Sequence, residues 1–197
     1  ELAPNRTPLT FTCSEEPTEL AEAERIKQIG ESHEWEVHAV KESETSRQPR
    51  PPFTTSTLQQ AASNRLGFSP SRTMGAAQKL YEAGHITYMR TDSTNLSTQA
   101  QGQIRKLISS EYGAAYAETR SYQTKSKSAQ EAHEAIRPTA VTKRVAGTTA
   151  DQKALYELIW QRAIASQMAA AKLKRTKVTA NVKDAPEPIP DFSLTGS

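Results

Sequence analysis

Two alternating segments stand near opposite ends of the 197-residue chain, and a run of prolines follows each. Residues 34–40 set Trp35 and Val37 between polar neighbours, and residues 174–182 set Val178, Ala180 and Val182 on one side. Alternation with period two reads as a half-buried strand. Pro49, Pro51 and Pro52 close the first segment; Pro186, Pro188 and Pro190 close the second. Proline donates nothing to a ladder, so each strand ends there. The middle of the chain is helical in pattern. The simplest arrangement is a β-rich region made of both ends, with a helical domain inserted between them.

The helices are marked by their ends. Ser56-Thr57-Leu58-Gln59 is a capping-box pattern, followed by Leu58, Ala61, Ala62 and Leu66 at helical spacing and by Gly67 as a left-handed stop. A second helix is expected to start after Ser71, turn Met74, Ala77, Leu80 and Tyr81 inward, and end at Gly84. The two form a helix-turn-helix-like pair across Phe68-Ser69-Pro70. A third helix spans about residues 97–113 with Ile104, Leu107 and Ile108 inward. A fourth opens at Thr149-Ala150-Asp151-Gln152 and carries Leu155, Leu158, Ile159 and Ala163. Residues 118–130, rich in Ser, Lys and Thr, read as an exposed loop, and residues 18–29 as a short surface helix.

Composition narrows the chemistry. Net charge is +3 and the pI about 9.0, which suits a polyanionic partner without requiring one. No apolar run approaches the ~20 residues of a membrane span. The single cysteine, Cys13, rules out an internal disulfide and a cysteine-built zinc site, and fits a reducing compartment. There is no Gly-rich nucleotide-phosphate loop and no acidic cluster for a two-metal site. The chain begins without Met and ends in Thr195-Gly196-Ser197, so it reads as a piece of a longer protein.

One stretch is rich in chemistry: Ala83-Gly84-His85-Ile86-Thr87-Tyr88-Met89-Arg90-Thr91-Asp92-Ser93. On extended backbone Tyr88, Arg90 and Asp92 share a face. A phenol beside a permanent cation is suited to meeting a phosphate with a nucleophile. The plainer account is a packed aromatic and a surface ion pair. In Glu131-Ala132-His133-Glu134-Ala135-Ile136-Arg137-Pro138, a zinc-protease helix would need a second histidine where Arg137 stands, so metal binding is rejected; His133 and Arg137 are phosphate-contact candidates. The basic run 172–177 reads as a solvated strand edge, where lysines discourage aggregation.

Three motifs, in order, resemble the bacterial type IA DNA topoisomerase I family. They are Pro52-Phe53-Thr54-Thr55-Ser56-Thr57-Leu58-Gln59-Gln60-Ala61-Ala62, then Leu80-Tyr81-Glu82 running on through the stretch above to Ser93, then Ala132-His133-Glu134-Ala135-Ile136-Arg137-Pro138. A weaker likeness continues through Leu155-Tyr156-Glu157-Leu158-Ile159-Trp160. The resemblance implies an α+β, mostly helical chain: a helical, tyrosine-bearing domain (53–167) inserted into a partial β-rich arch domain (1–52 and 168–197). It implies that Tyr88 attacks a phosphate of single-stranded DNA, forming a 5′-phosphotyrosine link and a free 3′-hydroxyl. Rejoining follows strand passage, and negative supercoils relax without ATP. Arg90 would hold the phosphate, His133 would add a contact, and Asp92 would orient one of the two. Gln78, Glu82 and Arg137 would lie near DNA.

The same resemblance implies a magnesium-binding acidic domain that this chain lacks. The expectation is therefore no metal here, magnesium in the parent enzyme, and no cleavage by this piece alone. Partners would be single-stranded or negatively supercoiled DNA and the parent's remaining domains, at the bacterial nucleoid in the cytoplasm, with no membrane. Two other readings stay open: a non-catalytic helix-turn-helix-like nucleic-acid-binding module, and a tyrosine recombinase. In the latter the nucleophile normally follows the His and Arg motif, whereas Tyr88 precedes His133.

Overall fold

Helix-start chemistry and a few fully buried side chains account for most of the architecture. The computed structural model describes residues 8–122 and 134–196. In chain order the elements are β1 (Thr12–Cys13), α1 (Leu20–Ser32), β2 (Trp35–Arg47), α2 (Thr55–Leu66), α3 (Pro70–Glu82), α4 (Thr98–Glu111), a 3-10 turn (Ala114–Tyr116), α5 (Ala150–Ala165), β3 (Ala171–Val182) and β4 (Phe192–Gly196). They fall into two compact units: Glu1–Arg47 with Lys172–Ser197, and Gln48–Ala171. The fold is thus mixed α and β, with helices and an antiparallel sheet.

The helical unit is built around α5. Leu155, Tyr156, Leu158, Ile159, Trp160, Ala163 and Ile164 are all buried, so apolar side chains cover most of its circumference, the mark of a central helix. It packs on α2, α3 and α4. The polar tips of its aromatics are satisfied: Tyr156 donates to the Lys143 carbonyl at 2.7 Å and Trp160 Nε1 to the Val141 carbonyl at 2.7 Å. α4 turns Ile104, Leu107 and Ile108 into this core, as its spacing predicts.

Several helix starts differ from the sequence expectation by one or two residues. α2 is capped by Thr54, not Ser56, in a reciprocal box with Thr57. Four hydroxyl residues stand in a row there, and position alone does not choose among them. α3 begins at Pro70 behind the cap Ser69, because proline fits the first helical position, where its missing N–H costs nothing. Its Tyr81 is exposed rather than inward, while Ala77 and Leu80 are buried. Thr149 caps α5 as expected, but the Gln152 side chain accepts from Thr148 instead of closing the box on Thr149. The expected loop 118–130 is tied down at its start. The Gln167 amide pairs with the Arg120 backbone in both directions at 3.0 Å, and Tyr122 donates to the Ser166 carbonyl at 2.8 Å. Residues 123–130 lie outside the described residues.

The other unit is a four-stranded antiparallel sheet in the order β1-β4-β3-β2. β3 pairs with β4 from Thr176↔Gly196 to Ala180↔Phe192. β3 is interior in the strand order, but its pairing with β4 begins at Thr176, so residues 172–175 of the basic run lie beyond that pairing, as the expected strand edge would; Lys174 pairs with Glu42 at 2.8 Å. β2 runs seven residues past the expected end at Val40, through a segment with no apolar alternation, because β3 supplies its hydrogen bonds. α1 is more than a surface helix: Ile26 and Ile29 pack with Val182 and Ile189 in a small core. No described helix is long and apolar enough to cross a membrane.

Ile159 is fully buried at the centre of the helical core. Ile159→Ala is expected to cost about 2–5 kcal/mol of stability through lost burial and the cavity left behind. A lowered urea midpoint of unfolding, followed by far-UV circular dichroism, checks it.

Candidate active site

The Tyr88 segment is aimed by the end of α3. After Ala83 the chain turns through Gly84 at φ 72°, a left-handed conformation that glycine adopts without steric cost. Gly84 N–H donates to the Tyr81 carbonyl and His85 N–H to the Leu80 carbonyl, both at 2.8 Å. These are the two bonds of a Schellman stop. The chain leaves a rigid helix end in a fixed direction.

Residues 86–92 do not form the expected ladder strand. Only an isolated bridge, Ile86↔Pro138, is present. The alternation survives from Tyr88 to Ser93 only: Met89, Thr91 and Ser93 are buried, while Tyr88, Arg90 and Asp92 are exposed; Ile86, two residues before Tyr88, is buried where it meets Pro138 and falls outside that pattern. Side chains replace the missing neighbour strand. Thr87 N–H donates to the Arg137 carbonyl at 2.9 Å, and Thr87 Oγ1 donates to the Ala135 carbonyl at 2.7 Å while accepting from Arg137 N–H at 3.0 Å. At the other end Thr55, the first residue of α2, clasps the backbone. Its N–H donates to the Thr91 carbonyl at 2.9 Å, its hydroxyl donates to the Met89 carbonyl at 2.8 Å, and the hydroxyl oxygen accepts from Thr91 N–H at 2.9 Å. The segment is thus pinned at both ends without a sheet.

On the outer face Tyr88 is 41% exposed, its ring edge-on to Tyr81 with centroids 5.2 Å apart. Among the described residues its hydroxyl has no hydrogen-bond partner, and neither Arg90 nor Asp92 makes an ion pair. On α3 Gln78 Nε2 donates to Glu82 Oε1 at 3.0 Å, and Lys79 Nζ meets Glu82 Oε2 at 3.0 Å. The bond from Gln78, then that from Lys79, holds the Glu82 carboxyl below its usual range. Gln78 and Glu82 thus share one exposed face of the helix that leads to Tyr88.

Arg137 is placed differently from the expectation. Its side chain is only 13% exposed and is turned into the fold. It pairs with Glu134 Oε2 at 2.5 Å and donates to the Pro138 carbonyl at 3.0 Å. Glu134 Oε1 in turn accepts from Ser97 N–H at 2.6 Å, at the start of α4. Arg137 therefore locks the 134–138 segment that braces Thr87, and is not presented to solvent as a phosphate contact would be. His133 lies outside the described residues. Among those described, no three His, Cys, Asp or Glu side chains come close enough to hold a metal ion. The residues that sequence reasoning missed are Thr55 and Thr87, whose contacts are tertiary and leave no local pattern, and the arginines Arg50, Arg65 and Arg162.

The comparisons with known proteins fall on the same residues. A family model described as DNA topoisomerase matches residues 11–194 of this chain. The chain belongs to the DNA topoisomerase family. DNA topoisomerase 1 of Zymomonas mobilis is 52% identical over 159 residues, covering 80% of this chain and 13% of the relative. That of Synechococcus elongatus is 47% identical over 169 residues, covering 83% and 19%. The structure of full-length topoisomerase I from Thermotoga maritima matches with a TM-score of 0.75 at 38% identity, over 94% of this chain and 31% of that one. The likeness to bacterial type IA topoisomerases read from three motifs therefore stands, and the chain spans about a fifth or less of the length of these two curated relatives.

Two outcomes test this geometry. Thr55→Val removes the hydroxyl from the clasp and leaves the Thr91 N–H unpartnered. It is expected to cost about 1–3 kcal/mol and to speed hydrogen exchange at Thr91 more than in α5. Glu134 gives a pH dependence. Burial raises its pKa, but hydrogen bonds from Arg137 and Ser97 outweigh that and hold it below the usual carboxylate range. A depressed native pKa contributes stability above the unfolded-state value of about 4.3, lost as pH falls through the native one. Urea midpoints should thus hold steady from pH 7 to 5 and decline below about pH 4, and Glu134→Gln should flatten that decline.

Proposed function

We propose that the chain is the nucleophile-bearing part of a type IA topoisomerase that breaks and rejoins one DNA strand. Tyr88 is the attacking group. Its oxygen forms a bond to a backbone phosphorus, the bond to the 3′-oxygen breaks, and that oxygen takes up a proton. The product is a 5′-phosphotyrosine and a free 3′-hydroxyl. Reversal expels the phenol and restores the phosphodiester. One phosphodiester is exchanged for another, so no ATP is consumed, and negative supercoils relax by strand passage through the break.

The observation that carries this reading is an exposed Tyr88, its hydroxyl without a hydrogen-bond partner among the described residues, in one pinned segment with the exposed Arg90 and Asp92. Arg90 would fork onto two non-bridging oxygens of the phosphate and offset the charge that gathers there. Asp92 would hold Arg90 or His133 in register, and His133 would supply a second phosphate contact. The exposed Gln78–Glu82 face would border the bound strand. An isolated phenol titrates near pH ~10, so deprotonation and leaving-group protonation need further groups. We place those, and magnesium, in the remainder of a full-length enzyme. The side chains described do not assemble a metal site, and no step above depends on one. On this reading the chain alone does not cleave DNA.

The test uses the full-length enzyme and a single-stranded oligonucleotide. Tyr88→Phe should abolish covalent DNA–protein adducts, and adducts that persist would remove Tyr88 from the chemistry. Arg90→Ala should slow cleavage by about 10²–10³-fold with little change in unfolding midpoint, as expected for a lost transition-state donor on the surface.

A further inference from the structure

A second cluster of cations lies in the helical unit, apart from the Tyr88 face. Arg50, Arg65 and Arg162 line one open cleft of about 520 Å³ together with Thr57, Gln60 and Asn64. No carboxylate lines it. Arg162 is half-buried, its guanidinium stacked 4.1 Å over the Phe53 ring, with Nη1 near the Pro51 carbonyl at 3.4 Å. Burial, then repulsion from Arg50 and Arg65, lowers its pKa. Among the described residues none of the three makes an ion pair. By contrast Arg25, Arg72, Arg120, Arg137 and Arg144 each meet a carboxylate.

The physical chemistry of such a cleft is specific. Mutually repelling guanidinium groups are stabilised when an anion enters between them. Thr57, Gln60 and Asn64 recur at three- and four-residue spacing on α2, so one helix face presents neutral donors along the same wall. Arginine forks match the paired oxygens of a phosphodiester, and amide and hydroxyl donors complete a contact to backbone without reading bases. Thr94, six residues beyond Tyr88, also lines the cleft, so it adjoins the continuation of the nucleophile segment.

We propose that this cleft binds a phosphodiester group of a DNA strand, as a contact distinct from the phosphate at Tyr88. The proposal rests on the reading of this chain as a DNA-cleaving enzyme and adds a second place where it grips the backbone.

The 197-residue chain itself serves for the test. Binding of fluorescent oligo(dT) and of a mixed-sequence duplex is followed by anisotropy across a salt series, with the fold of each variant checked by circular dichroism. Arg50→Gln with Arg65→Gln, both exposed, should weaken binding about tenfold near 0.1 M salt. With two fewer phosphates neutralised, the log–log salt slope should fall by about 1.4 for a single strand or about 1.8 for a duplex. A slope change in only one of the two arms identifies which form of DNA occupies the cleft. Arg105→Gln with Lys106→Gln removes equal charge from α4 and should change affinity less than twofold. Arg162→Lys keeps the charge but loses the fork and the stacking, so it should weaken binding with the slope unchanged. Equal losses of affinity in the cleft and α4 pairs, or none in the cleft pair, overturn the proposal. So does a wild-type chain that binds neither oligonucleotide. Adduct formation by the full-length enzyme reads the Tyr88 chemistry separately, so failure of the cleft leaves that reading standing, and loss of Tyr88 leaves the anisotropy result standing.

Discussion

The clasp between Thr55 and the backbone of residues 89–91 is the contact on which the site depends. A lone segment outside any sheet has no reason to keep its alternation, since nothing penalises a rotation that would bury Tyr88 or expose Met89. Thr55 supplies that penalty with one amide and one hydroxyl. Each bond contributes only about 1 kcal/mol net, but leaving the buried partners unpaired costs more, so the geometry is held by the asymmetry. Because Thr55 is the first residue of α2, its amide is one of the N-terminal donors a helix cannot satisfy internally. The helix gains an acceptor and the segment gains a donor in the same bond.

The arginines of the second and third motifs show how environment divides labour between like side chains. Arg137 is desolvated and spends its charge on Glu134, which also holds the first turn of α4. Such pairs contribute little net stability, because dehydrating both charges offsets their attraction, but breaking one leaves an uncompensated charge. Its value lies in fixing the 134–138 segment against Thr87. Arg90 sits in water without an ion pair among the described residues, so its charge is unspent and available to a ligand.

Sequence pattern captured what is local and periodic. The buried faces of α4 and α5 follow from the spacing of Ile104, Leu107 and Ile108, and of Leu155, Leu158 and Ile159. The strands from both ends follow from their alternation. Patterns failed where a tertiary partner decides. The outward display of Tyr88, Arg90 and Asp92 was legible, yet the ladder inferred from it was not there, because side-chain hydroxyls do the work of a neighbouring strand. Ser56 and Thr54 are equal candidates for a cap until the Phe53 backbone meets Ile136 and sets where the helix can start. β1 and β4 are short and leave almost no periodic signal. The proposal of Tyr88 as a nucleophile rests on resemblance, since nothing in spacing separates it from a packed aromatic.

The helix α2 joins the two cationic places in the helical unit. Its first residue sets the Tyr88 segment, and Thr57, Gln60 and Asn64 along its outer face line the cleft of Arg50, Arg65 and Arg162. Leu58 and Ala62 anchor the opposite face in the core. A helix held that way moves as a body, since packed interiors resist small continuous deformation. A backbone gripped along the outer face would therefore be registered against the Tyr88 segment through rigid structure rather than through a flexible loop. Alignment of a phosphorus with an attacking oxygen is sensitive to displacements of about 1 Å. A grip on α2 and a Tyr88 segment clasped by the first residue of that helix would be a direct way to hold that tolerance.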